Sequence, residues 1–501
     1  MSVRLALLIA ATLLCAPIAA AQLRAGAAKV EITDRAAGPV NDPSFVKALV
    51  VDDGATTVVI ATLDVVALEE IGGIPPGFMD AVRADLRRDL GIPPEHVIIN
   101  ASHCHSVVRR DAATLTVQAV KAAWGKRTAV RTGAGRGKED RIMENRRMVL
   151  KDGTQADVRR AYAMPPDDAV VATGPVDPEI GVLRIDRTDG TPLAVLYNFA
   201  AHPIQGVPSG GNTADYPAFA SQVIEETLGG GALAFFVQGA AGDINPAKYK
   251  DVHQPQNAEP LGNLLGLSVL RAWRAIEPRD SGPLRVLREA LSLPRGSDLD
   301  RRILAIEAER ERLLASLEGT SLNFKTFVPL YVQYKLGGDF PSYYSHRYLH
   351  EKAQGREELA RLDAENRAHL DRYLSNILAM EQITRLQTNL ALLKKHRATH
   401  AAAGSRTLDV EVMGLRVGGF QMVTFPGELT VDVGLNIKKR AAGPYDFVAG
   451  YTNGYIYYAP TAAQRRNTGY AQEDCDSWVD PEWQQIFEDK AAEVLKRLAA
   501  R

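Results

Sequence analysis

From residue 23 to about 290, short and mostly apolar runs alternate with longer amphipathic stretches. Val58 to Leu63, Val97 to Asn100, Ala194 to Phe199 and Ala232 to Val237 have the length and texture of buried strands. Met79 to Leu90 and Tyr216 to Leu228 carry apolar residues at helical spacing between them. This alternation predicts an α/β class. Strand texture returns at Thr407 to Val412, Leu415 to Val417 and Phe420 to Thr424. A turn at Pro426-Gly427, a helix over Thr430 to Lys439 and a C-terminal amphipathic helix over 482–500 follow.

Residues 297–400 break this pattern. Leu299, Ile303, Ile306, Leu313 and Leu317 recur at helical spacing among Arg and Glu. Leu359, Leu362, Leu370, Tyr373, Ile377, Met380 and Leu390 repeat the pattern, which predicts a second helix about 50–60 Å long. Between them, eight Phe and Tyr residues fall within 324–348, in a chain with 13 Phe, 4 Trp and 16 Tyr. Such enrichment fits either an apolar lid or lipid-facing surface near a site, or a hairpin packed on the core or on a second copy. The expected organisation is an α/β domain from 22–296 and 401–501, with 297–400 as a helical insertion serving as lid or oligomerisation element. Gly133-Ala134-Gly135-Arg136-Gly137 fits neither a P-loop nor a dinucleotide fingerprint and is expected to be a turn.

Composition narrows the function classes. Of 501 residues, 46% are hydrophobic and 24% charged, as in soluble globular chains, and the net charge is −1. A balance so near zero gives no electrostatic case for nucleic acid or for general attraction to anionic membranes. Residues 1–21 differ from the rest: Arg4, the apolar run Leu5 to Cys15 and Ala19-Ala20-Ala21 before Gln22 form a secretory signal pattern. The expected protein is therefore exported, to a periplasm or the outside, with no transmembrane anchor. Leu14 before Cys15 argues against a lipoprotein site. Cleavage would leave two of the three cysteines, Cys104 and Cys475, read as separate free thiols with a disulfide as the alternative.

Candidate chemistry lies at predicted strand ends, where α/β cores place their sites. His103 and His105 follow the run Val97-Ile98-Ile99 with one residue between them. Imidazole ligates zinc and carries protons near neutral pH, yet such a pair alone is more readily two ordinary surface or hydrogen-bonded histidines. His202 stands before Pro203 after another strand, Glu428 follows the Pro426-Gly427 turn, and Asn453-Gly454-Tyr455-Ile456-Tyr457-Tyr458 supplies tyrosines. Each has an ordinary packing or surface reading, and spacing alone cannot bring them together.

Taken in order, the segments Asn100 to Ser106, Asn145-Arg146-Arg147, Asn198 to Pro203, Phe235 to Pro246, Phe425 to Thr430 and Asn453 to Tyr470 resemble the neutral/alkaline, non-lysosomal ceramidase family. The resemblance spans roughly residues 25–290 and 406–475. It implies an α/β, mixed-sheet core of the neutral ceramidase type, here with an inserted long helical hairpin, and a single zinc ion held by His103, His202, Glu428 and Tyr458. Tyr458 is preferred to Tyr455 because the family pattern is Asn-x-Tyr-x-x-Tyr, with the second tyrosine on the metal. His105 matches the second, non-ligating histidine, Arg146 an arginine lining the site, and Tyr470 a further active-site tyrosine. The implied activity is hydrolysis of an N-acyl amide, with zinc polarising the carbonyl and bringing the pKa of a bound water toward ~7. His105 would move the proton, and Arg146 and Tyr470 would stabilise the oxyanion.

The chain also departs from that family. Ala241, in Gly239-Ala240-Ala241-Gly242-Asp243, stands where those ceramidases carry a serine often assigned as nucleophile or substrate contact. A methyl group can neither attack nor donate a hydrogen bond, which favours water as nucleophile and leaves headgroup recognition open. The amides of that turn could face substrate, or the turn could cap local backbone. Val107-Val108 replaces a usual Gly-Pro and Cys104 a common threonine, and the protein is expected to lack the C-terminal β-sandwich of full-length ceramidases. The expected substrate is a ceramide-like or other N-acyl lipid. The alternatives are a zinc hydrolase of a non-lipid amide or ester, and a non-catalytic ligand-binding relative. Peripheral membrane contact and homo-oligomerisation through the insertion complete the expected partners.

Overall fold

The computed structural model describes residues 22–71, 73–157, 164–249, 251, 253–280, 282–338, 340–341, 345–469 and 471–500. The expected signal segment, 1–21, and Tyr470 lie outside the described residues. The expected runs form strands at Thr57–Leu63, Val97–Ala101, Pro192–Phe199 and Leu233–Gln238. They belong to one eight-stranded sheet whose other members are Arg24–Glu31, Phe45–Asp52, Thr128–Lys138 and Glu179–Arg187. The sheet is mixed: Thr57–Leu63 runs parallel to Val97–Ala101, and Pro192–Phe199 parallel to Leu233–Gln238, with antiparallel pairs between.

A second sheet of four strands, Leu284–Pro294, Thr407–Val417, Phe420–Thr424 and Asp446–Ala449, packs face to face on the first. Alternation along each strand explains the layering. In the strand Phe45–Asp52, Leu49 and Val51 point between the sheets, toward Met413, Leu415 and Met422, while Val46, Ala48 and Val50 point to the helices outside. Helices Phe78–Leu90 and Ala112–Gly125 cover one half of the outer face, and Asp215–Leu228 and Glu259–Arg274 the other. Helices Val431–Arg440 and Trp483–Ala499 cover the small sheet, giving four layers, helix–sheet–sheet–helix.

Two local expectations are corrected. The glycine-rich stretch 133–137 is not a turn but lies inside the eleven-residue strand Thr128–Lys138. Its glycines are there for clearance: a Cβ on Gly133 or Gly135 would sit 2.4 or 2.5 Å from the Ile276 side chain. Among its described residues the helical segment holds four helices rather than two, at Leu299–Ala315, Phe324–Gly337, Ser345–Ala353 and Glu358–Ala403. The last has 46 residues and is about 70 Å long, beyond the expected 50–60 Å. This excursion leaves from Pro294 and returns at Thr407, which are register partners in the antiparallel pair Leu284–Pro294 with Thr407–Val417. Phe327 of the aromatic segment stacks on Tyr373 of the long helix at 4.5 Å between ring centroids. That contact lies about 33 Å along the helix from Lys395.

Candidate active site

The C-terminal ends of four strands meet at one place. His103 follows Val97–Ala101, His202 follows Pro192–Phe199, Glu428 lies past Phe420–Thr424, and Tyr451 past Asp446–Ala449. Two buried asparagines brace the junction. Asn100 accepts from the Gln238 amide at 2.9 Å and donates to the Gly450 carbonyl at 2.8 Å, and Asn198 donates to the carbonyls of Val237 and Val448, both at 3.1 Å. The backbone is also specialised: His103, Tyr451, Asn453 and Tyr457 all adopt positive φ, between 52° and 69°. Non-glycine residues seldom do so, and such conformations persist where the surrounding structure fixes them.

His103, His202 and Glu428 are each 2% exposed, and their ligand atoms lie within 4.8 Å of one another. The hydrogen bonds behind the imidazoles decide their chemistry. His103 Nδ1 is 2.6 Å from the Val66 carbonyl, and His202 Nδ1 is 3.0 Å from the Ile244 carbonyl. A carbonyl only accepts, so both protons sit on Nδ1 and both Nε2 atoms present lone pairs. Those lone pairs meet Glu428 Oε2 at 3.1 Å from His202 and 3.5 Å from His103. Burial pushes His103 down to about 4 against the pull of Glu428, and burial likewise lowers His202, so neither imidazole is charged at neutral pH. Burial opposes the Glu428 charge, and the Tyr455 hydroxyl, which donates to the carboxylate, works against that penalty.

Three acceptors therefore converge with no proton between them. Two nitrogens and an oxygen arranged tetrahedrally around an ion at about 2.0–2.1 Å are about 3.3 Å apart, and the distances of 3.1 and 3.5 Å bracket that spacing. The residues present fit a small divalent cation.

Tyrosines enclose the carboxylate. Tyr455 donates to Glu428 Oε1, and Tyr451 to Oε2 at 3.2 Å. Tyr458 is the register partner of Glu428 in a short parallel pair, Glu428–Leu429 with Tyr458–Ala459, and Arg146 Nη2 donates to its hydroxyl at 3.2 Å. Arg146 is 4% exposed and is fixed by Glu473 at 2.7 Å, by the Gly242 carbonyl at 2.5 Å and by Asn245 at 3.2 Å. His105 is solvent-exposed, with its ring 5.6 Å from that of His103. His103, His105, Arg146, His202, Glu428 and Tyr458 all line one cavity of 740 Å³, a size suited to a small-molecule site.

Several backbone groups of the alanine-bearing turn bond to the surrounding structure. Gly239 donates to the Phe199 carbonyl, Gly242 to that of Leu429 and Ile244 to that of Ala241, while Asp243 accepts from the first amide of helix Val431–Arg440. Ala241 is fully buried among apolar neighbours. Both cysteines are buried and unpaired. Burial pushes the Cys104 thiol up to about 12, so it stays protonated and acts as a packing residue.

Sequence reasoning missed several contributors. Tyr451 bonds the central carboxylate, Glu473 anchors Arg146, and the long inserted helix adds Leu392 and Lys395 to the cavity wall. Lys395 Nζ donates to the Tyr457 hydroxyl at 2.7 Å. Tyr451 follows an apolar strand just as His103 does, a signal that was available.

By sequence the chain matches no family model and no curated protein. By structure it is similar to neutral ceramidase from Pseudomonas aeruginosa, with a TM-score of 0.58 and 15% identity over 96% of this chain and 76% of the other. It is similar too to a ceramidase complexed with C2, with a TM-score of 0.59 and 14% identity over 95% of this chain and 75% of that one. Among the described residues no helix is long and apolar enough to cross a membrane. The mixed α/β architecture, with its helical insertion, is the neutral ceramidase fold.

Proposed function

We propose that this protein is an exported, zinc-dependent amidohydrolase that cleaves an N-acyl amide, with ceramide or another N-acyl lipid as substrate class. The observation that carries the reading is the meeting of two Nε2 lone pairs and one carboxylate in a buried site, in the fold of proteins described as ceramidases. His103, His202 and Glu428 would hold the ion, with Tyr458 as fourth ligand beside Glu428 in register. The chemistry such an ion supplies is Lewis acidity toward the scissile carbonyl and toward water.

The chain's own groups do the rest. The carbonyls of Val66 and Ile244 fix the tautomers of the two ligating imidazoles. His105, exposed in the cavity and outside the ligand set, takes a proton from water and returns it to the leaving amine. Arg146 orients the Tyr458 hydroxyl and, together with Tyr470, offers donors to the tetrahedral oxyanion. With a methyl group at Ala241, no covalent serine step enters. A non-lipid amide is the second reading, favoured by the polar cavity wall of Asn212, Thr213, Asp215 and Lys395.

The test is amine release by the purified, zinc-loaded enzyme. Candidate substrates are N-acyl sphingoid bases, N-acyl ethanolamines, N-acyl amino acids and short peptides. Release from the lipid amides is expected. Release from peptides alone would move the assignment to the second reading, and no retained zinc would remove both.

A further inference from the structure

The helix Phe324–Gly337 exposes an apolar stripe. Phe324, Val328, Val332 and Leu336 are spaced one turn apart and are 70, 40, 48 and 84% exposed. Phe340, just past the helix, is a further 44% exposed. The opposite face is already occupied: Phe327 and Tyr334 are buried against Leu370, and Tyr373 stacks on Phe327. The stripe is therefore what remains outside after the helix has packed, and none of the described residues covers it.

Charge identifies the occupant. Residues 319–338 contain no Asp or Glu, in a chain with 60 acidic residues, while Lys325 and Lys335 are exposed on the same side as the stripe. On a helical wheel Lys335 falls between Phe324 and Val328, and Lys325 between Val332 and Leu336. Apolar residues interleaved with lysines, on a helix with no acid, suit the boundary between acyl chains and anionic headgroups. A second copy of this chain suits the face poorly, because a two-fold contact would set the lysines of one copy against those of the other. The whole-chain charge of −1 offers no general attraction, so any preference for anionic lipid would come from this local patch.

We propose that helix Phe324–Gly337 is a docking surface for an anionic lipid bilayer. It holds the protein at the surface through the far end of its long helix. The surface lies apart from the His103–His202–Glu428 site, and binding is measured without turnover, so the proposal stands or falls separately from the proposed chemistry.

The test is co-sedimentation of the full chain with vesicles of phosphatidylcholine alone and of phosphatidylcholine mixed with phosphatidylglycerol. Wild type should bind the mixed vesicles and should release as salt rises. Phe324→Glu and Leu336→Glu should each weaken binding by about tenfold or more, with unchanged circular dichroism because both side chains are exposed. Leu267→Glu, at a residue 54% exposed on helix Glu259–Arg274, should bind as wild type does. Lys325→Glu with Lys335→Glu should abolish the preference for anionic lipid. Failure of wild type to bind mixed vesicles would overturn the proposal, as would undiminished binding by Leu336→Glu. A dimer in sedimentation velocity that Leu336→Glu dissolves, without any vesicle binding, would assign the face to a second copy instead.

Discussion

Glu428→Gln separates the metal reading from every ordinary use of a buried glutamate. In the metal-free protein the carboxylate faces two imidazole lone pairs, at 3.1 and 3.5 Å, because both rings have spent their N–H on backbone carbonyls. The glutamine amide would donate into one of those lone pairs, a gain of about 1–3 kcal/mol. Tyr451 would lose its acceptor at 3.2 Å, which costs about 1 kcal/mol, while Tyr455 keeps one. The net effect without metal is a gain on the order of 1 kcal/mol. With metal the sign reverses. Wild type gains about 4 kcal/mol when free ion exceeds its Kd a thousandfold, and the variant forgoes most of it. Calorimetric unfolding in chelator and in added zinc should therefore show the two proteins changing order, and elemental analysis after desalting should find the ion only in wild type. A variant that melts well below wild type in chelator would refute the three-acceptor geometry. One that retains a full equivalent of zinc would refute the ligand assignment.

His105→Gln should leave the metal content unchanged while lowering kcat about 100-fold or more, the usual worth of a positioned proton carrier. Asp215 is 2% exposed, and burial raises its pKa from 3.8 to about 6 against the amides of Gly206 and Tyr216. The folded state thus holds this proton more tightly; the stability it gives is full below 3.8 and is lost as pH rises through 6. Relative to Asp215→Asn, wild type should gain about 1.4 kcal/mol between pH 7 and pH 5 in urea titrations. Gly135→Ala would drive a Cβ to 2.5 Å from Ile276 and should cost about 1–3 kcal/mol, with recovery when Ile276→Ala is added.

The strands that carry His103 and His202 were legible because they are buried on both faces and end in residues that do not continue the apolar run. The first two strands and the Glu179–Arg187 strand were harder to read, since Lys29, Lys47 and Arg184 interrupt their apolar character. Glycine at 133, 135 and 137 reads locally as a turn, and only the approach of Ile276 and Ala272 from another element reveals a strand. At the site, the residue types were legible but the reason they work together was not. The tautomer of each imidazole is set by Val66 and Ile244, residues 37 and 42 positions away along the chain. The same distance hid Glu473, which holds Arg146 from beyond position 470, and Tyr451, whose partner Glu428 belongs to another loop.

The long excursion begins and ends on register partners, Pro294 and Thr407, with the Arg295 amide donating to the Arg406 carbonyl at 2.9 Å. Its two ends are already as close as a hairpin requires, about 5 Å, so a two-residue turn could close the same strands without altering either sheet. The segment is in this sense a cassette, exchangeable in length and content while the three-acceptor site stays in place. It is not a neutral one. Its returning leg sets Leu392 and Lys395 in the cavity wall and buries His396 between Asp476 and Trp478. Lineages that trade this cassette would change what the cavity admits without touching the atoms that do the chemistry, and selectivity could diversify faster than mechanism.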